Sequence, residues 1–185
     1  MYHDARDVTV SCDNRKALDL YETALLQYHS YVGDPIATID QALAEAPDFV
    51  LGHAFRAGVL MVFGEQRFVP EARASVAAAE SWSDRANERE QGLTQAARCL
   101  VDGDWDSACR AYDRVLVDHP RDAFAIQTAH LMDFYRGDAL NLRPKTVAAV
   151  SAVATADGQA PFELSGYFLF KRLVDVIASV ALLIV

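Results

Sequence analysis

The 185-residue chain reads as all-α. Apolar residues recur at steps of three and four along most of its length, capping residues precede many of these runs, and glycine or proline closes them. Strand signals do not recur.

Each element follows from local chemistry. Leu18, Tyr21, Leu25, Tyr28 and Val32 form one stripe on a helix expected from Asn14 to Val32, which Gly33 ends. Asp34 is an N-cap and Pro35 is pre-set for the first helical position, so a second helix should run to about Ala46 before Pro47. Asp48 is expected to open a third, through Leu51, Phe55, Leu60 and Phe63, which Gly64 closes by taking a left-handed conformation. Pro70 with Glu71 starts the fourth. Asn87 and Glu90 have capping-box spacing, and their helix should end near Gly103. Trp105, Ala108, Tyr112, Val115 and Leu116 line the next helix, which stops at Pro120. Asp122 to Arg136 carries Phe124, Ile126, Leu131, Phe134 and Tyr135 and closes at Gly137. An alanine- and valine-rich helix is expected from Pro144 to about Ala156.

Short loops force consecutive helices to pack antiparallel, so these segments describe about four helix pairs from Asn14 to Ala156. Pro47 and Pro120 both end a pair, and their separation suits two units of about 34 residues plus a small insertion, which is a tetratricopeptide-like stack. The stretch Gly103–Ala108 (GDWDSA) with Tyr112, Val115 and Pro120 carries the clearest signature: a small residue for close approach, an aromatic at the interface and a proline stop. Trp105 is placed at that interface, where truncation to alanine would cost about 3–5 kcal/mol. Residues 1–158 are thus expected to form a helical-repeat domain, and residues 159–185 an apolar tail.

Charge and cysteine usage narrow the function. A net charge of −9 opposes the counterion release that drives sequence-independent binding to nucleic acid, so no nucleic-acid partner is expected. Cys12, Cys99 and Cys109 lack disulfide-scaffold spacing, and the N-terminus MYHDARD lacks the regions of a secretion signal, which points to a reducing cytoplasm. No serine-histidine-acid order and no glycine-rich phosphate loop can be assembled, so neither a catalytic site nor a cofactor is expected. Asp102, Asp104 and Asp106 open like a calcium loop, but Ser107 stands where glycine is needed and Asp113 where a bidentate glutamate is needed. Cys99, Cys109 and His119 are too far apart in sequence for a zinc pair, and the two cysteines are expected to fill small spaces between paired helices. Glu88, Arg89 and Glu90 read as a solvated helix face.

Several runs carry a resemblance. Asp4–Ser11 (DARDVTVS), Ala17–Tyr21 (ALDLY), Gly33–Pro35 (GDP), Ala46–Ala54 (APDFVLGHA), Asp118–Asp122 (DHPRD) and Thr128–Asp138 (TAHLMDFYRGD) resemble, in order, the tetratricopeptide repeat protein 38 family. The likeness covers about Asp4 to Arg143 and then fades, whereas members of that family continue with further helical pairs. It implies a helical-repeat scaffold without established enzymatic chemistry. Separately, Ser165–Val185 is similar to the start of bacterial polyprenyl-phosphate sugar transferases, in which a Lys-Arg pair and a following aspartate introduce a membrane-embedded helix; Lys171, Arg172 and Asp175 match. The family's catalytic domain and acidic dyad have no counterpart here, so no transferase activity is expected. Basic residues ahead of an apolar run suit an interfacial segment, although the run after Asp175 is short of the roughly 20 residues that span a bilayer.

The function expected from these readings is a non-catalytic scaffold that grips a protein or peptide partner in a concave groove made by the first helices of the pairs, with His53, Arg56 and His130 as groove candidates. The alternative is the front part of a membrane-associated sugar-transferase system, with residues 167–185 contacting lipid.

Overall fold

The computed structural model describes residues 2–138. The helix expected from Pro144, the apolar tail and the membrane-proximal candidates Lys171, Arg172 and Asp175 lie outside the described residues. Among those described, the chain is helical, with one small hairpin ahead of the helices.

That hairpin pairs β1 (Tyr2–His3) antiparallel with β2 (Thr9–Val10), and the helical reading missed it. Asp4 builds the turn: its carboxylate accepts from the backbone N–H of Arg6 and of Val8, while Asp7 takes a left-handed φ of 61°.

Helix α1 (Arg15–Ser30) is capped by Asn14, whose side chain accepts from Ala17 N–H. It stops before Val32 because Tyr31, not Gly33, supplies the left-handed closing residue. Asp34 and Pro35 open α2 (Pro35–Glu45) as expected, with the Asp34 carboxylate accepting from Ile36 and Ala37. Helix α3 (Val50–Val62) begins without a side-chain cap. Asp48 does not serve there; its carboxylate pairs with Arg85. A single 3-10 turn, Gln66–Phe68, leads into α4 (Val69–Ser81), with Pro70 in its first turn. The capping box of Asn87 and Glu90 opens α5 (Glu88–Val101). Asp104 caps α6 (Trp105–Asp118), Asp122 caps α7 (Ala123–Arg136), and Gly137 closes α7 in the left-handed region.

The three aspartates of the calcium-like spacing are dispersed among separate tasks. Asp102 pairs with Arg73, Asp104 caps α6 through Ser107 N–H, and Asp106 pairs with Arg136. Among the described residues no group of three or more His, Cys, Asp or Glu side chains is placed to hold a metal ion. Millimolar calcium should therefore leave the thermal midpoint unchanged; a saturable rise would mean that the aspartates regroup around the ion.

The most extensive contacts join α1 to α2, α3 to α4, and α5 to α6, and α3 packs on α5 across these partners. Helix α7 packs on α6 and also reaches α3 and α1. The core is aromatic at its centre. Tyr21 meets Phe49 and Phe55 edge-on, and Phe124 sits among Tyr28, Phe55 and Tyr112. Cys109 is buried and Cys99 half-buried. Trp105 is only half-buried and rests at the core's edge beside Tyr135, because it stands at the first residue of α6 while Tyr112, two turns further along the same face, fills the interior. The cost of Trp105→Ala should thus fall to about 1–2 kcal/mol, since only part of its apolar surface leaves water. Chemical denaturation would check it, and a loss near that of a core aromatic would place the ring inside.

Candidate functional site

Two of the groove candidates, His53 and Arg56, make hydrogen bonds within the fold. His53 on α3 donates from Nε2 to the Pro47 carbonyl oxygen at 2.8 Å, holding the loop that precedes its own helix. Arg56, one turn on, reaches Asp40 at 2.6 Å, Ser75 Oγ at 3.0 Å and Glu71 at 3.1 Å, so a single guanidinium ties α2, α3 and α4 together. His130 is half-buried on α7. Helix α7 packs on α1 and α3 through Phe124 against Tyr28 and Phe55.

A second cluster, which sequence reasoning passed over, lies where the hairpin meets α1, α5 and α7. Arg6 donates to Asp4 at 2.8 Å and to both carboxylate oxygens of Glu22, at 2.8 and 2.9 Å. Arg89 donates from Nε to Asp122 at 2.5 Å and from Nη1 to the Thr9 carbonyl at 3.2 Å, and its Nη2 lies 3.9 Å from Asp4. Glu90 accepts from Ser11 N–H at 2.9 Å and Asn87 N–H at 3.1 Å. Asp122 keeps its other oxygen for Ala125 N–H at 2.8 Å. Arg89, Glu90, Asp4 and Asp122 are all buried, which corrects the reading of Arg89 and Glu90 as solvated; only Glu88 of that trio is exposed.

The signal that could have found them is the spacing of α5. Arg89, Leu93, Ala97 and Leu100 recur at steps of three and four, so the arginine falls on the stripe that faces the core. The segments Asp4–Ser11 and Asp118–Asp122, far apart in sequence, meet at this cluster through Arg89.

The electrostatics follow from burial and pairing. Burial works against the Arg89 charge, but Asp122 and the neighbouring Asp4 outweigh it and its pKa is raised. The same balance, led by burial and reversed by Glu22 and Asp4, raises Arg6. Burial pushes the Tyr21 phenol well up. His29, which donates from Nε2 to the Ala123 carbonyl at 3.1 Å, has its pKa lowered by burial and by Arg6, against the opposing pull of that hydrogen bond, Asp122 and Glu22. Because the unfolded chain binds the proton more readily, the contribution of His29 is present above about pH 6.5 and declines as pH falls through the depressed value. His29→Gln should therefore lose less stability on acidification than the wild type does. Equal losses in urea titrations on both sides of that pH would remove the role.

Beside the ion cluster opens a cleft of about 490 Å³. The hairpin contributes Asp7 and Thr9, the start of α5 Glu88 and Arg89, and the α6–α7 turn Asp118 and His119. Acids (Asp7, Glu88, Asp118) and bases (Arg89, His119, Arg121) both line it, together with Val8 and Pro120. Among the described residues no helix is long and apolar enough to cross a membrane. No family model and no solved structure matches the chain.

Proposed function

We propose that this protein is a non-catalytic scaffold of tetratricopeptide-like helix pairs that binds a protein or peptide segment, with the cleft between the hairpin, α5 and the α6–α7 turn as its contact surface. The pairing of α1 with α2, α3 with α4 and α5 with α6, and the contact of the first helices α3 and α5, support a stack of helix pairs. The observation that carries the reading is the cleft's construction. Three segments far apart in sequence are joined beside it by the buried Arg89, which pairs with Asp122 and Asp4 and donates to the Thr9 carbonyl, so less ordering is left to oppose binding. In this reading His53 and Arg56 hold the scaffold and do not grip the partner.

The test is charge reversal at the exposed rim. Glu88→Lys with Asp118→Lys leaves the buried pairs in place. In affinity capture from cell extract, proteins recovered reproducibly with the wild type should be lost with the variant, at an unchanged melting temperature. Capture that ignores the rim, or no specific capture at all, would remove the cleft as a binding surface.

A further inference from the structure

The cleft beside the ion cluster does not end at the α6–α7 turn. A smaller depression of about 140 Å³ shares Glu88, Arg89, Asp118 and His119 with it and runs on between α5 and α6 past Gln95 and Arg114. Together they make a trough, a shape that accepts an extended chain.

The charges on its walls are not equally available. Arg89 is 3% exposed and committed to Asp122 and the Thr9 carbonyl, and Arg121 donates from Nη1 to the Arg6 carbonyl at 3.4 Å. Arg114 lines only the smaller depression. Asp7, Glu88 and Asp118 are exposed, and among the described residues no basic side chain pairs with any of them. The cluster behind this rim supplies no compensating positive charge, because Asp4, Glu22, Glu90 and Asp122 outnumber Arg6 and Arg89. The field in the main cleft is therefore negative and draws a cation. A second observation comes from the buried guanidinium. Nε and Nη1 of Arg89 hold their acceptors at 2.5 and 3.2 Å, but Nη2 stands 3.9 Å from Asp4, beyond hydrogen-bond reach, and makes no hydrogen bond among the described residues. A side chain buried in the wall of a cleft with donors to spare calls for an acceptor.

We propose that the cleft takes a basic, extended segment of a partner protein, with a lysine or arginine side chain among Asp7, Glu88 and Asp118 and a backbone carbonyl on Nη2 of Arg89. The inference rests on the cleft being the contact surface, and adds the chemistry of what it holds. A neutral carbonyl satisfies the guanidinium without bringing a further negative charge to the rim, and the neighbouring cationic side chain supplies the charge that the three carboxylates lack.

Fluorescence anisotropy on the full chain tests this. The probes are labelled alanine peptides with blocked ends that carry lysine, glutamine or glutamate at every second position. The lysine peptide should bind at least about tenfold more tightly than the other two. Glu88→Gln with Asp118→Asn should weaken it at least about fivefold, the scale of two exposed ion pairs, whereas Asp19→Asn with Glu65→Gln, which removes the same charge from exposed positions off the cleft, should leave it within about twofold. In side-chain nitrogen spectra the Arg89 signal should shift as the lysine peptide saturates. Equal weakening by the two double variants, or an Arg89 signal that remains in place, overturns the proposal, because the peptide then senses only net charge. A glutamine or glutamate peptide that binds as tightly as the lysine peptide and moves Arg89 overturns it too, while leaving the cleft as a contact surface. Failure of all three peptides to bind overturns it as well, and the cleft reading falls with it only if capture from extract also ignores the rim.

Discussion

Arg89→Met should destabilise the protein by about 3–5 kcal/mol, the range for breaking a buried ion pair by removing one partner. The methionine restores most of the volume, so the loss is electrostatic. Asp122 would keep its bond to Ala125 N–H but lose the guanidinium at 2.5 Å, and the Thr9 carbonyl would lose its donor. A neutral partner should rescue much of this. Asp122→Asn retains a capping side chain for α7 while removing the charge, so Arg89→Met with Asp122→Asn should cost less than the two single changes added together. Urea midpoints for the four proteins close the cycle. Strict additivity would show that the two side chains do not depend on one another.

Phe124→Ala should cost a comparable amount, about 3–5 kcal/mol, through a cavity that its neighbours cannot close. The ring is wholly buried among Tyr28, Phe55 and Tyr112. Gly58 provides an internal control. A β-carbon added there would stand 2.7 Å from Phe124 Cζ, closer than real side chains approach, and 3.1 Å from the Tyr112 hydroxyl oxygen, a tight contact. Gly58→Ala alone should therefore destabilise, and in the Phe124→Ala background it should cost little or even help, because the obstructing ring is gone. If Gly58→Ala costs the same in both backgrounds, the close approach of α3 to Phe124 is not what this position requires.

The helices were legible because each boundary is set by neighbours in sequence. Asp34 with Pro35, Asn87 with Glu90, and Gly137 act within one turn of themselves, and all three do what local rules require. Asp48 was misread because its carboxylate is claimed by Arg85, a residue far along the chain, and no local rule contains that competitor. The hairpin escaped notice for the same reason: four strand residues are stabilised chiefly by what Asp4 and Thr9 meet on other elements. Arg56 was read as a groove candidate, and no local rule contained the carboxylates of Asp40 and Glu71 with which it pairs on the neighbouring helices. The ion cluster was missed: charge argued for solvent, although the steps of α5 put Arg89 in line with Leu93, Ala97 and Leu100, and pairing with Asp122 lets it stay buried.

The hairpin has a consequence for the way the protein is made. Arg6 meets the side chain of Arg121 through its carbonyl across a separation of 115 residues, Ser11 meets Glu90 across 79, and Tyr28 meets Thr128 across 100. On a ribosome the first helices can coil and pair as they emerge, yet Asp4 waits for Arg89, and Arg89 waits for Asp122. Loop closure over such lengths is slow, so the last step of folding belongs to the first residues synthesised. A ladder of neighbouring units would be free to fray from either end. Here the hairpin is fastened to Arg89 and, through it, to the start of α7, and loss of either attachment loosens both, so residues 2–138 should melt in one concerted transition.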